Sequence, residues 1–193
     1  MLTREVISRI FTKIPTLETE RLLLRKIGPE DVDDMFAYAS RKEVTEYLLW
    51  SPHETREYTA HYIDYLGRKY RTGDFYDWAL VLKDEGKMIG TCGFTAFTPG
   101  ANAGEVGYVL NPDFWGKGLA TEAVARVVRF GFEALALHRL EARYMMGNEA
   151  SRRVMAHVGM HFDGCLRHAV FVRGKYRDVG ICSILEDEFY NKQ

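Results

Sequence analysis

The chain has 193 residues, 47% of them hydrophobic, and a formal net charge of −1. This length fits one domain, and the near-neutral charge argues against a general affinity for nucleic acid or an anionic membrane. The cysteines, Cys92, Cys165 and Cys182, have no CxxC spacing, which indicates packing residues in a reducing cytoplasm. No run approaches the ~20 apolar residues of a membrane span or the core of a signal peptide. We therefore expect one cytoplasmic domain over 1–193, with about the first 15 residues as an extension.

The first half of the chain predicts three strands and two helices. The strands are the runs rich in branched and aromatic residues, at 22–24, 76–83 and 87–97. A first helix opens at 28–31 (GPED), where a proline and two acidic residues suit the first turn. A second opens at 51–54 (SPHE), with serine as the cap and glutamate in the capping-box position, and is predicted to run to about Arg71. The turn residues at 84–86 (DEG) indicate a hairpin between the second and third strands.

The second half predicts a longer series that ends in another hairpin. Its elements are a strand at 105–110, a helix at 118–137, a strand at 140–145, a short helix at 149–158 and two strands within 161–185 that turn near Arg173. In 118–137 apolar residues recur at helical spacing, so one face of that helix is expected to lie on a sheet. Because two hairpins interrupt the alternation of strands and helices, we expect an α/β fold with a mixed sheet.

The junction between strand and helix at 111–121, NPDFWGKGLAT, is the most unusual local feature. It lacks the GxxxxGK[ST] pattern of a P-loop, and it departs from GxGxxG because Thr121 stands in place of the last glycine. Small residues at a helix N-terminus let a phosphate approach unpaired backbone N–H groups, and Lys117 adds a positive charge. A glycine pair before a helix is also common as a simple turn, so the loop alone leaves both interpretations open.

Several runs stand in a characteristic order along the chain. They are LETERLLLR at 17–25, MIG at 88–90, EVGY at 105–108, WGKGLATE at 115–122, NEAS at 148–151, VGM at 158–160, DG at 163–164 and Asp178. In this order they resemble the GNAT superfamily of acetyl-CoA-dependent N-acetyltransferases, and within it the RimJ/RimL group. The superfamily loop usually begins with Arg or Gln, where this chain has Trp115. That departure is shared by the RimJ/RimL group and therefore supports the narrower resemblance.

The resemblance implies a fold and a cosubstrate. The fold is a twisted, mostly antiparallel central sheet of about six to seven strands flanked by helices, with a central strand that splays from its neighbour. Acetyl-CoA would bind at the splay without a metal, and backbone groups near Val109 and Leu110 would pair with its pantetheine arm. The implied contacts are Val109, Leu110, Trp115, Gly116, Lys117, Gly118, Leu119, Ala120, Thr121, Asn148 and Ser151.

The resemblance also implies a direct transfer chemistry. An amine attacks the thioester carbonyl, so a base must remove a proton from the amine and an acid must protonate the departing thiolate. Glu105 is the candidate base, although a strand-edge glutamate can equally be a surface residue or an ion-pair partner. Many members place a tyrosine acid where this chain has Met155, so Ser151 becomes the candidate acid. Asn148 has the alternative role of a helix N-cap.

The amine acceptor is implied least directly. Tyr47, Trp50 and Trp78 are candidate acceptor-binding residues, with Glu46 or Asp77 available to receive a cationic amine; an aromatic stripe at helical spacing is also typical of a core. The implied acceptor is a protein N-terminal α-amine, as in ribosomal-protein alanine or serine acetyltransferases. A small amine such as an amino acid, polyamine or antibiotic, or a non-catalytic acyl-CoA-binding module, remains the alternative. A homodimer is compatible with each.

Overall fold

The structure is a computed structural model that describes residues 2–191. Its strands are β1 (Leu17–Glu18), β2 (Leu22–Arg25), β3 (Tyr76–Leu82), β4 (Met88–Thr98), β5 (Ala103–Leu110), β6 (Arg139–Met145), β7 (His161–Val172) and β8 (Lys175–Leu185). Within the described residues these form one sheet in the order β1-β2-β3-β4-β5-β6-β8-β7. Every neighbouring pair is antiparallel except β5 and β6. The mixed sheet is confirmed, and the short β1 brings the strand number to eight.

Helices cover both faces of the sheet. They are α1 (Arg4–Thr12), α2 (Val32–Ala39), α3 (Lys42–Thr45), α4 (Arg56–Thr72), α5 (Leu119–Glu133), α6 (Glu149–His157) and α7 (Glu186–Tyr190), with 3-10 turns at Pro29–Asp31, Pro99–Ala101 and Pro112–Phe114. Because side chains alternate along a strand, β3 sends Trp78 and Leu80 to a core with α1 and α5, and Ala79 and Val81 to a core with α2 and α4. Within the described range, no helix has the length and apolarity to span a membrane.

The second helix begins later than its sequence pattern predicts. Thr55, and not Ser51, is the N-cap of α4, because its Oγ1 accepts the Tyr58 N–H at 3.1 Å. The preceding segment is held in another way, since the buried His53 ring bonds through Nδ1 to Thr59 Oγ1 at 2.8 Å. Thr55, four residues after Ser51, thus forms the cap that the SPHE motif predicted for Ser51.

Residues 2–15, predicted as an extension, contribute to the core. They include α1, whose Phe11 is fully buried and packs edge-on against Tyr76 and Trp78, with ring centroids 4.9 and 5.7 Å away. The Pro15 carbonyl accepts the Trp78 indole N–H at 2.6 Å. The segment is therefore an integral part of the core beside α5.

The predicted splay lies between β5 and β6. These strands pair only from Ala103 to Val106 on β5. Beyond that point β5 remains paired with β4 as far as Leu110, while β6 remains paired with β8 as far as Met145. The sheet therefore opens in its middle and leaves one edge of β5 without a strand partner.

Candidate active site

A cavity of about 1660 Å³ opens at the splay. Its walls come from the open end of β5, the loop before α5, the start of α6, the segment between α3 and α4, and β7. Small-ligand sites commonly occupy ~300–1,000 Å³. The cavity is therefore large enough for two reactants placed end to end.

The open edge of β5 presents the backbone of Tyr108 and Leu110. The Asn111 N–H donates to the Ile89 carbonyl on β4 at 2.7 Å, and backbone groups alternate in direction along a strand. Val109 therefore faces β4, which corrects the expectation that its N–H and C=O are free. The Leu110 carbonyl is also occupied, because it accepts the Trp115 indole N–H at 2.8 Å. The backbone groups that stay free at this edge are the N–H and C=O of Tyr108 and the N–H of Leu110.

The loop before α5 ends in an uncapped helix N-terminus. Gly116 and Gly118 have φ values of 73° and 78°, a left-handed region that suits glycine. Gly118 is the N-cap residue and makes no side-chain cap, so the first N–H groups of α5 are available to an anion. Leu119, Ala120 and Thr121 line the cavity. Lys117 does not line it, because its Nζ lies over the Phe114 ring, 4.8 Å from the centroid.

Arg21, which lies about a hundred residues earlier in the chain, holds this loop through its side chain. Its Nη1 donates to the Lys117 carbonyl at 2.9 Å, and its guanidinium pairs with Glu122 at 2.6 Å. The Arg21 N–H also donates to Glu122 Oε1 at 2.9 Å. Only the resemblance pointed to this arginine, since about a hundred residues separate it from its partners.

The start of α6 brings Asn148 and Ser151 to the cavity wall. Asn148 Oδ1 accepts the Ser151 N–H at 3.1 Å, so the N-cap role is realised. Ser151 Oγ and the Tyr108 hydroxyl share a hydrogen bond of 2.7 Å, and burial raises the pKa of Tyr108. Met155 is buried in the core. A tyrosine hydroxyl is thus present beside Ser151, supplied by β5 and not by the next turn of the helix.

Glu105 lines the cavity with both carboxylate oxygens engaged. Oε1 accepts the Thr95 hydroxyl at 2.7 Å, and Oε2 lies 3.0 Å from Arg143 Nε. Arg143 also pairs with Glu141 at 3.1 Å. The ion-pair alternative for Glu105 is therefore present at the site.

The acceptor side of the cavity contains two of its three predicted aromatic residues. Tyr47 and Trp50 line it, and so do Tyr58 and Tyr62 of α4, which are exposed and do not belong to the core. The prediction for Trp78 is wrong. Its side chain is fully buried on the α5 face of the sheet, because alternation along β3 directs it away from the cavity.

Asp77, the neighbour of Trp78, points to the cavity instead. Its Oδ1 accepts the Trp78 N–H at 3.2 Å, and Thr91 donates a second hydrogen bond. Burial raises the pKa of Asp77 to about 7. Across the sheet its register partner is Gly93, which in turn pairs with Gly107 of β5. The floor between Asp77 and the open strand therefore carries no side chains.

Comparison with known proteins agrees with this geometry. The family described as "Acetyltransferase (GNAT) domain" matches residues 21–161. The uncharacterized N-acetyltransferase YoaA of Bacillus subtilis is 34% identical over 172 residues, which cover 89% of this chain and 97% of that protein. The [ribosomal protein uS5]-alanine N-acetyltransferase of Escherichia coli is 27% identical over 169 residues, covering 84% and 86% of the two chains.

Solved structures give the same result for the fold. A GNAT-family acetyltransferase from Bacillus anthracis superimposes with a TM-score of 0.80 at 28% identity, over 90% of this chain and 99% of that one. The ribosomal-protein-S5-alanine acetyltransferase of Vibrio fischeri superimposes with a TM-score of 0.77 at 26% identity, over 91% and 98% of the two chains.

Proposed function

Because the chain belongs to the GNAT acetyltransferase family, we propose that it transfers the acetyl group of acetyl-CoA to the N-terminal α-amine of a protein. The observation that carries this proposal is the splay, where a free β-strand edge leads to an uncapped helix N-terminus along one cavity wall. The strand edge suits the amide groups of pantetheine, and the helix N-terminus suits a pyrophosphate. Gly116, Gly118 and the first turn of α5 would hold that end of the molecule.

Residues at the cavity can serve each step of the transfer. The amine nitrogen bonds to the thioester carbon, the C–S bond breaks, and the thiolate leaves with a proton. The free Tyr108 N–H is available to polarise the thioester oxygen. The hydroxyl pair of Ser151 and Tyr108 is the proposed proton source for the thiolate. Glu105 stays a candidate base, held by Arg143 and Thr95.

Two observations bear on the acceptor. The names of the Escherichia coli and Vibrio fischeri relatives specify an alanine of a ribosomal protein, which supports a protein N-terminus for this chain. The aromatic lining of the cavity, with Tyr47 and Trp50, supports a small amine as the second candidate. A binding module without catalysis is the third outcome of the test.

The test is a panel of acceptors incubated with acetyl-CoA. Peptides that begin with alanine or serine are compared with lysine, spermidine and an aminoglycoside, by thiol release and product mass. We expect turnover with the peptides and an acetyl group on their α-amine. Turnover with small amines alone would replace the proposed acceptor, and thermal stabilisation by acetyl-CoA without any turnover would indicate the binding module.

A further inference from the structure

We propose that Asp77 is a catalytic residue that receives the ammonium group of the acceptor and takes its proton. This inference rests on the proposed transfer reaction and assigns its proton-accepting step to a carboxylate on β3. It follows from three observations on the described residues: the position of Asp77 on the cavity floor, the lack of a cationic partner, and the neutral groups that surround it.

The first observation is the position of Asp77 on the cavity floor. Asp77, Gly93 and Gly107 are register partners on β3, β4 and β5, and Gly107 immediately precedes the open edge at Tyr108. Neighbouring strands lie ~4.8 Å apart, so Asp77 is about 10 Å from β5 across a glycine floor. Both ends of this floor line the same cavity, so an acceptor amine lying over the floor has the Asp77 carboxylate on one side and the open end of β5 on the other. A side chain at Gly93 would overlap the Asp77 backbone, and one at Gly107 would overlap Thr95.

Within the part of the chain that the structure describes, the charge of Asp77 has no counterpart. Among residues 2–191, no Lys, Arg or His forms an ion pair with it, whereas Glu105 lies 3.0 Å from Arg143. Asp77 is half-buried, and a carboxylate that is partly withdrawn from water is costly unless a cation or several hydrogen bonds accompany it. Asp77 has only the Trp78 N–H and the Thr91 hydroxyl. An ammonium group brought by the acceptor would supply the absent cation.

The groups that face Asp77 are neutral near pH 7. They are Tyr38 of α2 and Tyr62 and Tyr70 of α4, whose pKa values are raised by burial. Cys92 of β4 is also neutral, and it lies on the opposite face of the sheet, in the core with α1 and α5. Burial raises the pKa of Asp77 to about 7, with the Thr91 and Trp78 bonds opposing that shift. A base is most effective when its pKa lies near the working pH. Asp77 therefore has the ionisation that this step requires.

The proton balance is complete. The carboxylate removes one proton from R–NH₃⁺ and becomes a carboxylic acid, and the free amine attacks the thioester carbon. The attacking nitrogen loses its second proton as the C–S bond breaks, and the thiolate gains one. Asp77 then releases its proton to water, so one proton leaves per turnover.

The experiment measures kcat/KM from pH 5.5 to 9.5 for the wild type, Asp77→Asn and Glu105→Gln, with the panel amine that the wild type acetylates best. Asp77→Asn keeps the oxygen that accepts the Trp78 N–H. We expect it to lower kcat/KM about 100-fold near pH 7.5, with a smaller loss above pH ~9, where an α-amine is already neutral. We expect Glu105→Gln to lower the rate by a factor that does not vary with pH.

Two controls accompany the kinetics. Asp84→Asn alters an exposed aspartate in the turn of the same hairpin and should leave the profile unchanged. Acetyl-CoA should stabilise Asp77→Asn as much as the wild type. If the wild type acetylates no amine, the proposed function fails and this inference fails with it. If the wild type is active and Asp77→Asn keeps the wild-type kcat/KM, or shows the same fall in kcat/KM toward low pH, only the role of Asp77 is overturned.

The pH dependence of the melting temperature tests the raised pKa of Asp77 without any acceptor. Because the folded-state pKa lies above the ordinary value of ~3.9, the unfolded chain ionises first as pH rises. The wild type therefore loses stability between about pH 4 and about pH 7 through this group. We expect the melting temperature of Asp77→Asn, relative to the wild type, to increase across that window. A difference that is constant with pH would contradict the assignment.

Discussion

At the scale of single residues, Tyr108 places a tyrosine hydroxyl beside Ser151, although the next turn of α6 has no tyrosine. The helix position one turn after Ser151 is Met155, which is buried and cannot donate a proton. Tyr108 instead reaches Ser151 from β5, with 2.7 Å between the two oxygens. The Tyr108 hydroxyl also donates to the Ser151 carbonyl at 3.0 Å. The pair is therefore fixed in place before any substrate arrives.

We predict that Ser151→Ala and Tyr108→Phe each lower kcat about tenfold and that the double variant is little worse than either. Two groups that act as one hydrogen-bonded pair are not additive. The measurement is a double-mutant cycle on kcat, with KM for acetyl-CoA as the control for binding. Additive losses would show that the hydroxyls act separately.

At the scale of elements, the hairpin of β7 and β8 fixes the segment that carries Tyr47 and Trp50. Arg173 and Gly174 have φ values of 50° and 73°, as a two-residue turn between twisted strands requires. From this turn the Arg173 guanidinium donates to four carbonyls. The acceptors are Thr45 at 2.6 Å, Trp50 at 2.9 Å, and Glu46 and Leu48 at 3.3 Å.

Arg173→Ala is predicted to raise KM for the amine about tenfold, equivalent to ~1.4 kcal/mol, and to leave KM for acetyl-CoA unchanged. The lost bonds hold only the acceptor wall, and alanine and arginine tolerate the left-handed turn equally poorly. Steady-state kinetics with each substrate varied in turn measures both constants. Arg173→Lys should be intermediate, and Lys175→Ala, on the exposed part of the same hairpin, is the control. An equal effect on both constants would point to general destabilisation.

At the scale of the whole molecule, the sheet separates two hydrophobic cores that differ in size and in their distance from the cavity. The core with α1 and α5 is continuous and contains the fully buried Phe11 and Trp78. The core with α2 and α4 is smaller, and the cavity adjoins it near Met35, Leu66 and Asp77. The reaction site thus adjoins the smaller core, on the face of the sheet that α2 and α4 cover.

For the larger core we predict that Phe11→Ala costs about 3–5 kcal/mol of unfolding free energy, the range for truncating a buried phenylalanine. Phe11 joins α1 to β3 through Tyr76 and Trp78. Urea unfolding followed by tryptophan fluorescence measures the change, with the exposed Arg9→Ala on the same helix as the control. A loss below ~1 kcal/mol would contradict the proposed contribution of Phe11 to the stability of this core.

Local sequence signals located most elements of this fold, because strand and helix periodicity and turn residues act over a few neighbouring positions. They missed α1 and the short helices α3 and α7, and they misplaced the start of α4, where a nearer cap at Thr55 competes with the SPHE motif. The family resemblance pointed to Glu105, Ser151 and the loop at 115–121, and all of these residues except Lys117 line one cavity. It also assigned Trp78 to the acceptor side, where alternation along β3 places Asp77.

What the sequence by itself determined is the family, through the order of its motifs, and the mixed α/β sheet, through periodic patterns. The splay was implied by the family resemblance. What only the tertiary structure decided is the set of partners that face one another across the cavity. Arg143 beside Glu105, Tyr108 beside Ser151 and Arg173 above Trp50 are joined across 38 to 123 positions of chain. Such contacts depend on strand register and on the face to which each side chain points. No local pattern encodes them, because they exist only once the strands have paired.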